Sequence, residues 1–551
     1  MLAARGIAPD EADAFLRPSL SGLSRPEELP GVARAADIVL EAVAAGRGIV
    51  VFGDYDCDGI CAAAILVNTI RAIGGSVGAF IPDRLSEGYG MSDAAVARCL
   101  SENPGVGLVV TVDNGVNSFS QIAGLKARGI GVVVTDHHLA SRVGGIPGGE
   151  LELPPADVVV NPKVAAPAHL DGLCGAGVAF FLANRLVSEA RRRGLYSGPN
   201  VGGPLLVLAG LATVTDIMPL LGQNRIIVSE ALSRFATLAP TGLKELYLRA
   251  ARSGSGRMTA KDFGFMLGPR INAAGRMHSA MEALALVLED DREAARELAR
   301  VVDGYNAERK DVEQRMTAEA MQKVVPGAAA QVIELPDGHP GVVGIVAARV
   351  LESLERKAPV CVSAGSHGSA RSPAGLNVRD AFAACAEYLE TFGGHASACG
   401  FSVKPGMTDA FREALCAHCA KFAAECADAT ASGAPELWIA PAEVTLGLVD
   451  DLELFEPFGE GNPEPVFGFK DAFVTDVRPL GAEGRHLSLS VCVPGRARLR
   501  AVWWNRGDEV EPLRASSASP HSLVFTVTAS DYGERHPELR IVSIDRPELP
   551  K

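Results

Sequence analysis

No run of about twenty apolar residues free of charge occurs in the chain, and its first residues do not form a basic-then-apolar leader. Neither a membrane-spanning helix nor secretion is therefore expected. A surplus of positive charge is missing as well. The net charge is -14, which argues against indiscriminate polyanion binding and confines any nucleic-acid contact to local basic patches or bound metal. A disulfide framework is also absent. The 11 cysteines are odd in number and scattered, and in so long a chain they read as buried thiols. Cys416 and Cys419 have a metal-like spacing, but no second pair accompanies them and the segment reads as an Ala-rich helix. Together these absences predict a cytoplasmic protein. What is present is apolar material, 48% hydrophobic against 21% charged residues, and 551 residues are too many for one core. Several globular domains are expected.

The chain is organised around Gly53-Asp54-Tyr55-Asp56-Cys57-Asp58-Gly59, three carboxylates on alternate positions closed by a glycine. The preceding run, residues 48–52, is apolar and β-branched and reads as a buried strand, whereas residues 60–73 have helical spacing. Asp is depleted from strands, and carboxylates gathered where a strand ends repel one another. Two readings compete: a solvated turn that caps the next helix, or a cation site.

The rest of the N-terminal half decides between them. Strands are expected at 49–52, 77–81, 107–112, 130–135 and 157–160, with helices at 60–73, 92–101 and 118–128, an α/β pattern with a parallel sheet. Strand 107–112 runs into Asp113-Asn114-Gly115, and strand 130–135 into Asp136-His137-His138. Parallel strands deliver their C-terminal ends to one edge, where ligands bind at the topological switch point. Asp216 closes an apolar helical stretch with no other charge, where burial without a partner would be costly. The set is then Asp56, Asp58, Asp113, His137 and Asp216, with Asp54 and His138 nearby. Hard oxygen ligands with one or two imidazoles suit Mn2+ or Mg2+ ahead of zinc. Two ions bridged by a carboxylate such as Asp113 would activate a shared water and grip a phosphoryl oxygen. That chemistry is phosphoester hydrolysis.

These residues resemble the DHH phosphoesterases, a family named for the triplet seen here at Asp136-His137-His138. The fuller resemblance is to the RecJ-type 5′→3′ single-stranded-DNA exonucleases, carried by residues 53–59, 112–115, 135–138 and 211–219 and continuing through 268–276, 339–349, 393–395 and 456–465. It implies metal ligation by Asp56, Asp58, Asp113, His137 and Asp216 with two divalent ions, Mn2+ or Mg2+. Catalysis is expected of His138, Asp136 and Asp113. Several relatives place a histidine four residues before the first Asp of the D-x-D pair; here that position is Phe52, and Asp54 is the candidate for its role. The implied partners are single-stranded DNA and, by resemblance, a single-strand-binding protein and a RecQ-type helicase. The implied setting is DNA repair and recombination, and a monomer is expected.

The resemblance also implies a fold class: a parallel-sheet DHH domain joined by a long helix to a smaller α/β DHHA1 domain, followed by a C-terminal OB-type β-barrel. The expected bounds are a leader at 1–45, the DHH domain at 46–283, the connecting helix at 284–325, DHHA1 at 326–430 and the OB fold at 435–551. Arg84 and Tyr89 lie in a polar Gly-rich loop suited to phosphate. Gly175-Ala176-Gly177 opens an apolar helix and could cradle an anion or serve close packing. Residues 242–277 carry seven Lys and Arg against two acids, and Arg270 and Arg276 within them suit backbone phosphates. Ser369, Arg371 and His395, expected on glycine-rich loops, have the chemistry for a 5′-phosphate. Beyond 435, strand-like runs are read at 438–447, 466–478, 486–493, 497–504 and 522–529. Arg496, Arg498 and Arg500 alternate there along one face beside Trp503 and Trp504, which suits a single strand gripped by charge and stacking. Two other readings stay open: a DHH hydrolase of short oligonucleotides or cyclic dinucleotides, and a non-catalytic replication scaffold.

Overall fold

Five short apolar runs build the first sheet: β1 (Gly48–Phe52), β2 (Val77–Phe80), β3 (Val106–Val112), β4 (Gly131–Thr135) and β5 (Val158–Val160). All pair in parallel, in the order β2-β1-β3-β4-β5. Because successive side chains point to opposite faces, Ile49 and Val51 enter a core with helices Val32–Ala44, Cys57–Ala72 and Gly175–Arg192. Val50 and Phe52 enter another, with helices Asp93–Glu102 and Phe119–Ala127. The chain leaves β1 towards β2 on one side and returns to β3 on the other. The order reverses between β1 and β3, which opens a crevice at their C-terminal ends. This computed structural model describes residues 1–551 apart from 89, 146–148, 252–256, 422–433, 482, 494–497, 531–534 and 546–551.

The connection expected as one helix from 284 is two helices, Ala280–Leu288 and Arg292–Gln322. Asp291 breaks it by capping the second, its carboxylate accepting from the N–H groups of Glu293 and Ala294. Buried Glu313 on the long helix accepts from Arg309 of its own helix and, at 3.0 Å, from Arg349 on helix Val343–Ser353. The second sheet follows, with β6 (Gln331–Glu334), β7 (Val360–Ala364), β8 (His367–Arg371), β9 (Leu389–Gly394) and β10 (Ala398–Val403) in the order β6-β7-β8-β10-β9. Only β6 and β7 are parallel.

The last region holds β11 (Leu437–Trp438), β12 (Phe467–Leu480), β13 (His486–Cys492), β14 (Leu499–Trp503), β15 (His521–Ala529) and β16 (Pro537–Asp545). The order β12-β13-β14-β16-β15 closes on itself through β15 and β12, a five-stranded barrel with OB connectivity. The run expected as a strand at 438–447 is a two-residue strand leading to helix Leu446–Glu453. β16 was not expected, because Glu538 and Arg540 interrupt its inward-facing Leu539 and Ile541. Trp503 is core and Trp504 is half exposed.

The chain divides into two compact units, residues 20–430 and residues 1–19 with 431–551. The expected leader at 1–45 is therefore shared. Arg5 pairs with Glu436 and Phe15 packs edge-on against Phe455 in the barrel unit, whereas Val32–Ala44 is integral to the first sheet's core. All ten described cysteines are free thiols. No helix among the described residues is long and apolar enough to cross a membrane.

Candidate metal centre

The carboxylates after β1 are placed by the start of the next helix. Asp56 is its N-cap: Oδ1 accepts from the N–H groups of Asp58 and Gly59, each at 3.0 Å. The capping reading and the cation reading thus hold together for this residue. Gly59 is required by contact, since a Cβ there would lie 2.6 Å from the backbone of Asp54. The Cys57 N–H donates to Asn272 Oδ1 at 2.7 Å, which anchors the turn to helix Gly268–Met277. Asp58 is buried against the start of helix Gly175–Arg192, where the Gly175 and Ala176 N–H groups each donate to its carboxylate at 2.7 Å. The glycine-rich helix start does cradle an anion, and the anion is the chain's own Asp58.

Asp113 leaves β3 in the left-handed region, at φ 60°, and His137 and His138 follow β4. His137 Nε2 lies 3.1 Å from Asp113 Oδ1 and 3.7 Å from both Asp58 Oδ2 and Asp216 Oδ2. Asp216 arrives as the C-cap of helix Gly202–Thr215. The potential ligand atoms form three overlapping groups, each within 4.8 Å: Asp54, Asp56 and Asp113; Asp58, His137 and Asp216; and Asp113, His137 and His138. Phe52 is packed against Phe80 at 5.0 Å, so the apolar core takes that position and Asp54 faces the crevice in its place.

Behind these side chains sits Asp136. Its Oδ1 accepts from His138 Nδ1 at 2.8 Å and from the His137 and His138 backbone, while Oδ2 accepts from Val116 N–H. Burial pushes the Asp136 carboxyl up, but the His138 bond and these amides outweigh it and hold it below the usual range. His138 is the complement. Burial pushes it down, the Asp136 bond and charge prevail, and it reaches about 9. Burial pushes His137 down.

Asp54, Asp56, Asp113 and Asp216 are all pushed up, by burial first and then by neighbouring carboxylate charge, that of Asp56 for Asp54 and chiefly that of Asp58 for the other three; Asp216 reaches about 8. Asp54 Oδ1 and Asp113 Oδ1 are buried with no hydrogen bond. Crowded carboxylates with unpartnered oxygens, imidazole among them, fit hard divalent cations. The donor set suits Mn2+ or Mg2+, and two overlapping groups sharing Asp113 leave room for two ions.

A second group lies beside the first. Arg84 stacks over Tyr55 at 4.9 Å. Arg276 donates to Gly341 O, and burial, then Arg84, with Arg371 adding, pushes it down to about 10. Arg371 is pushed down by burial and Arg84, and its Nη1 donates to Ser369 Oγ at 2.8 Å. Ser369 and Arg371 lie on strand β8, two residues apart on one face, rather than on a glycine-rich loop. His395 is exposed in the turn between β9 and β10.

Other expected contacts are placed differently. Arg270 donates to Asp303 Oδ1 and Met266 O, and Arg249 pairs with the same Asp303, so Arg270 ties the long helix. Arg498 is paired with Asp476 and Arg500 with Glu538, which neutralises the two described arginines of that stripe. Tyr89 and Arg496 lie outside the described residues. Asn272 was missed as a positioning residue, though it stands within the 268–276 segment already singled out.

The family model for the DHH family, N-terminal domain, matches residues 48–200, that for the DHHA1 domain residues 327–421, and that for the RecJ OB domain residues 436–543. The single-stranded-DNA-specific exonuclease RecJ of Thermus thermophilus is 34% identical over 555 residues, covering 98% of this chain and 77% of that protein. The Escherichia coli protein of the same name is 34% identical over 500 residues, covering 85% and 82%. The crystal structure of Thermus thermophilus RecJ in complex with Mn2+ matches with a TM-score of 0.79 at 31% identity, over 100% of this chain and 77% of that one.

Proposed function

The chain belongs to the RecJ family of single-stranded-DNA-specific exonucleases, and from that membership we propose that its carboxylate crevice removes nucleotides from the 5′ end of single-stranded DNA. The observation that carries the reading is the convergence of Asp56, Asp58, Asp113, His137 and Asp216 at the switch point of a parallel sheet, with buried Asp54 and Asp113 oxygens left without a hydrogen bond. Two divalent ions, when bound, supply the Lewis acidity that activates water and neutralises charge building on the phosphoryl group. Asp56, Asp58, Asp113, His137 and Asp216 hold them, with Asp54 in the role left open by Phe52.

Asp136 fixes the tautomer and orientation of His138, whose ring donates a hydrogen bond to a phosphoryl oxygen as charge develops there. Arg84, Arg276, Arg371 and Ser369 take the 5′-terminal phosphate, which sets direction and yields 5′-mononucleotides. In this reading the strand threads between the DHH and DHHA1 parts of the chain. We place the protein in DNA repair and recombination in the cytoplasm, as a monomer working beside a single-strand-binding protein and a RecQ-type helicase.

The test uses purified protein, Mn2+ and single strands labelled at either end. Stepwise loss from the 5′ end, abolished by Asp113→Ala in a folded variant, is expected. Degradation from the 3′ end, or wild-type rates in Asp113→Ala, would sink the reading.

A further inference from the structure

Among the described residues the three most exposed large apolar side chains are Phe265 at 79%, Ile217 at 71% and Leu139 at 65%. Single exposed apolar residues are ordinary on any surface, but two of these extremes adjoin residues of the metal centre in sequence and the third stands on a turn that packs against the helix delivering Asp216. Leu139 follows His138 and Ile217 follows Asp216, so each Cα is about 3.8 Å from that of a residue in the site. Phe265 stands in a π-helical turn, Phe263–Leu267, a local form enriched at functional sites. That turn presses on the last turn of helix Gly202–Thr215. A Cβ on Gly264 would lie 3.5 Å from Val214 Cγ1, and one on Gly268 only 2.2 Å from Thr215 Cγ2. Asp216 is the next residue.

Ile217 carries a second, independent signal. Its φ is 56°, in the left-handed region that a β-branched residue enters only at a cost. Gly or Asn would sit there without strain, and such strain recurs at ligand clamps. A strained backbone here holds out an uncovered apolar side chain.

We propose that Phe265, Ile217 and Leu139 form an apolar rim that packs against the nucleobases flanking the phosphate at the metal centre. The proposal rests on the exonuclease reading above. Every base has a π-face, so aromatic and branched aliphatic surface adds affinity without sequence preference. In a duplex those faces are stacked away inside the helix; a single strand offers them. The rim therefore contributes to single-strand selectivity, which the phosphate contacts, common to both forms, do not supply.

The test compares a normal single strand with the same strand carrying abasic sites next to its 5′ end. In the wild type, KM for the abasic strand should be roughly tenfold higher, the scale of one lost base–aromatic stack. Phe265→Ala should raise KM for the normal strand by a similar factor and collapse the difference between strands, and Phe265→Tyr should restore it. Ile217→Gly removes the side chain and the backbone strain together, so its weaker affinity for the normal strand should come with an unlowered Tm. Equal KM values for both strands in the wild type, or wild-type KM in Phe265→Ala and Ile217→Gly, would overturn the rim. If the wild type cleaved no single strand, the exonuclease reading would fail. Anisotropy binding of the same two strands would still decide the rim.

Discussion

Replacing Gly175 by alanine probes the centre without touching a ligand. Gly175 opens helix Gly175–Arg192, and its N–H donates to Asp58, a bond that alanine would keep. The added Cβ would lie 2.6 Å from Asp113 Cβ and 2.9 Å from its Cγ and Oδ1. Ordinary carbon–carbon contact is about 3.5 Å, so Asp113 must retreat by roughly 0.9 Å. Metal–ligand distances tolerate only about ±0.2 Å. Asp113 is also held in the left-handed region between Val112 and Asn114, and its carboxylate is enclosed by Asp58 and His137, which leaves little freedom to repack. Removal of a supporting neighbour typically lowers metal affinity about 10- to 100-fold, and displacement of Asp113 from its proposed role as a ligand should cost a similar factor. Titration calorimetry with Mn2+ should therefore show an affinity loss in that range, and nuclease activity should partly recover as Mn2+ is raised. Gly177→Ala is the control: its Cβ would meet Leu173 no closer than 3.3 Å, in the same turn. Wild-type Mn2+ affinity in Gly175→Ala would refute the reasoning, as would an equal loss in Gly177→Ala.

Asp136→Asn should leave Mn2+ binding within a few-fold of wild type and lower kcat by roughly 10²- to 10⁴-fold, the scale of a disrupted proton-bearing group; single-turnover kinetics at saturating Mn2+ check it, and an unchanged kcat would remove His138 from the chemistry. The stability of the metal-free protein should depend on pH through Asp216. Its folded-state value of about 8 lies above the ordinary 3.8, so this contribution is fully present below about pH 4 and is lost as pH rises through about 8. Because a bound cation compensates the buried charge, the Tm gain from Mn2+ should widen between pH 5 and 8, and Asp216→Asn should remove Asp216's share of that trend, leaving the part due to Asp54, Asp56 and Asp113. A pH-independent gain in the wild type would contradict the assignment. Arg371→Ala should raise KM roughly tenfold or more for 5′-phosphorylated strands, the scale of one charged hydrogen bond, and much less for 5′-hydroxyl strands; equal effects on both would remove Arg371 from the phosphate pocket.

Sequence by itself determined the parallel sheet, the edge on which its carboxylates gather and most of the residues that meet there. Apolar β-branched runs of strand length ending at Asp54, Asp113 and Asp136 are local signals, and a parallel sheet has only one C-terminal edge to which it can deliver them. Strand positions in the first α/β region were legible for the same reason, whereas β8, β9 and β10 of the second were not, because their glycine-bearing segments read as loops. β16 was not, because charged residues alternate with Leu539 and Ile541 on a strand whose inner face only the closed barrel defines.

Tertiary structure alone decided who meets whom. Nothing near Asp58 announces that two amides from a helix 117 and 118 residues away will hold its carboxylate. Nothing near Arg270 or Arg498 announces the Asp303 and Asp476 that occupy them. Charge excess along a sequence counts cations without showing which are already paired, so the basic stretch at 242–277 looked more available than it is. Conversely, the approach of Arg276 to Arg371, close enough for one cation's charge to act on the other, is a long-range proximity with no periodic trace. Backbone strain at Ile217 is invisible too, since a β-branched residue does not favour φ above zero and only the surrounding packing imposes it. Residue chemistry and periodicity are written locally; the compensation of buried charge comes from whichever distant group the fold brings near.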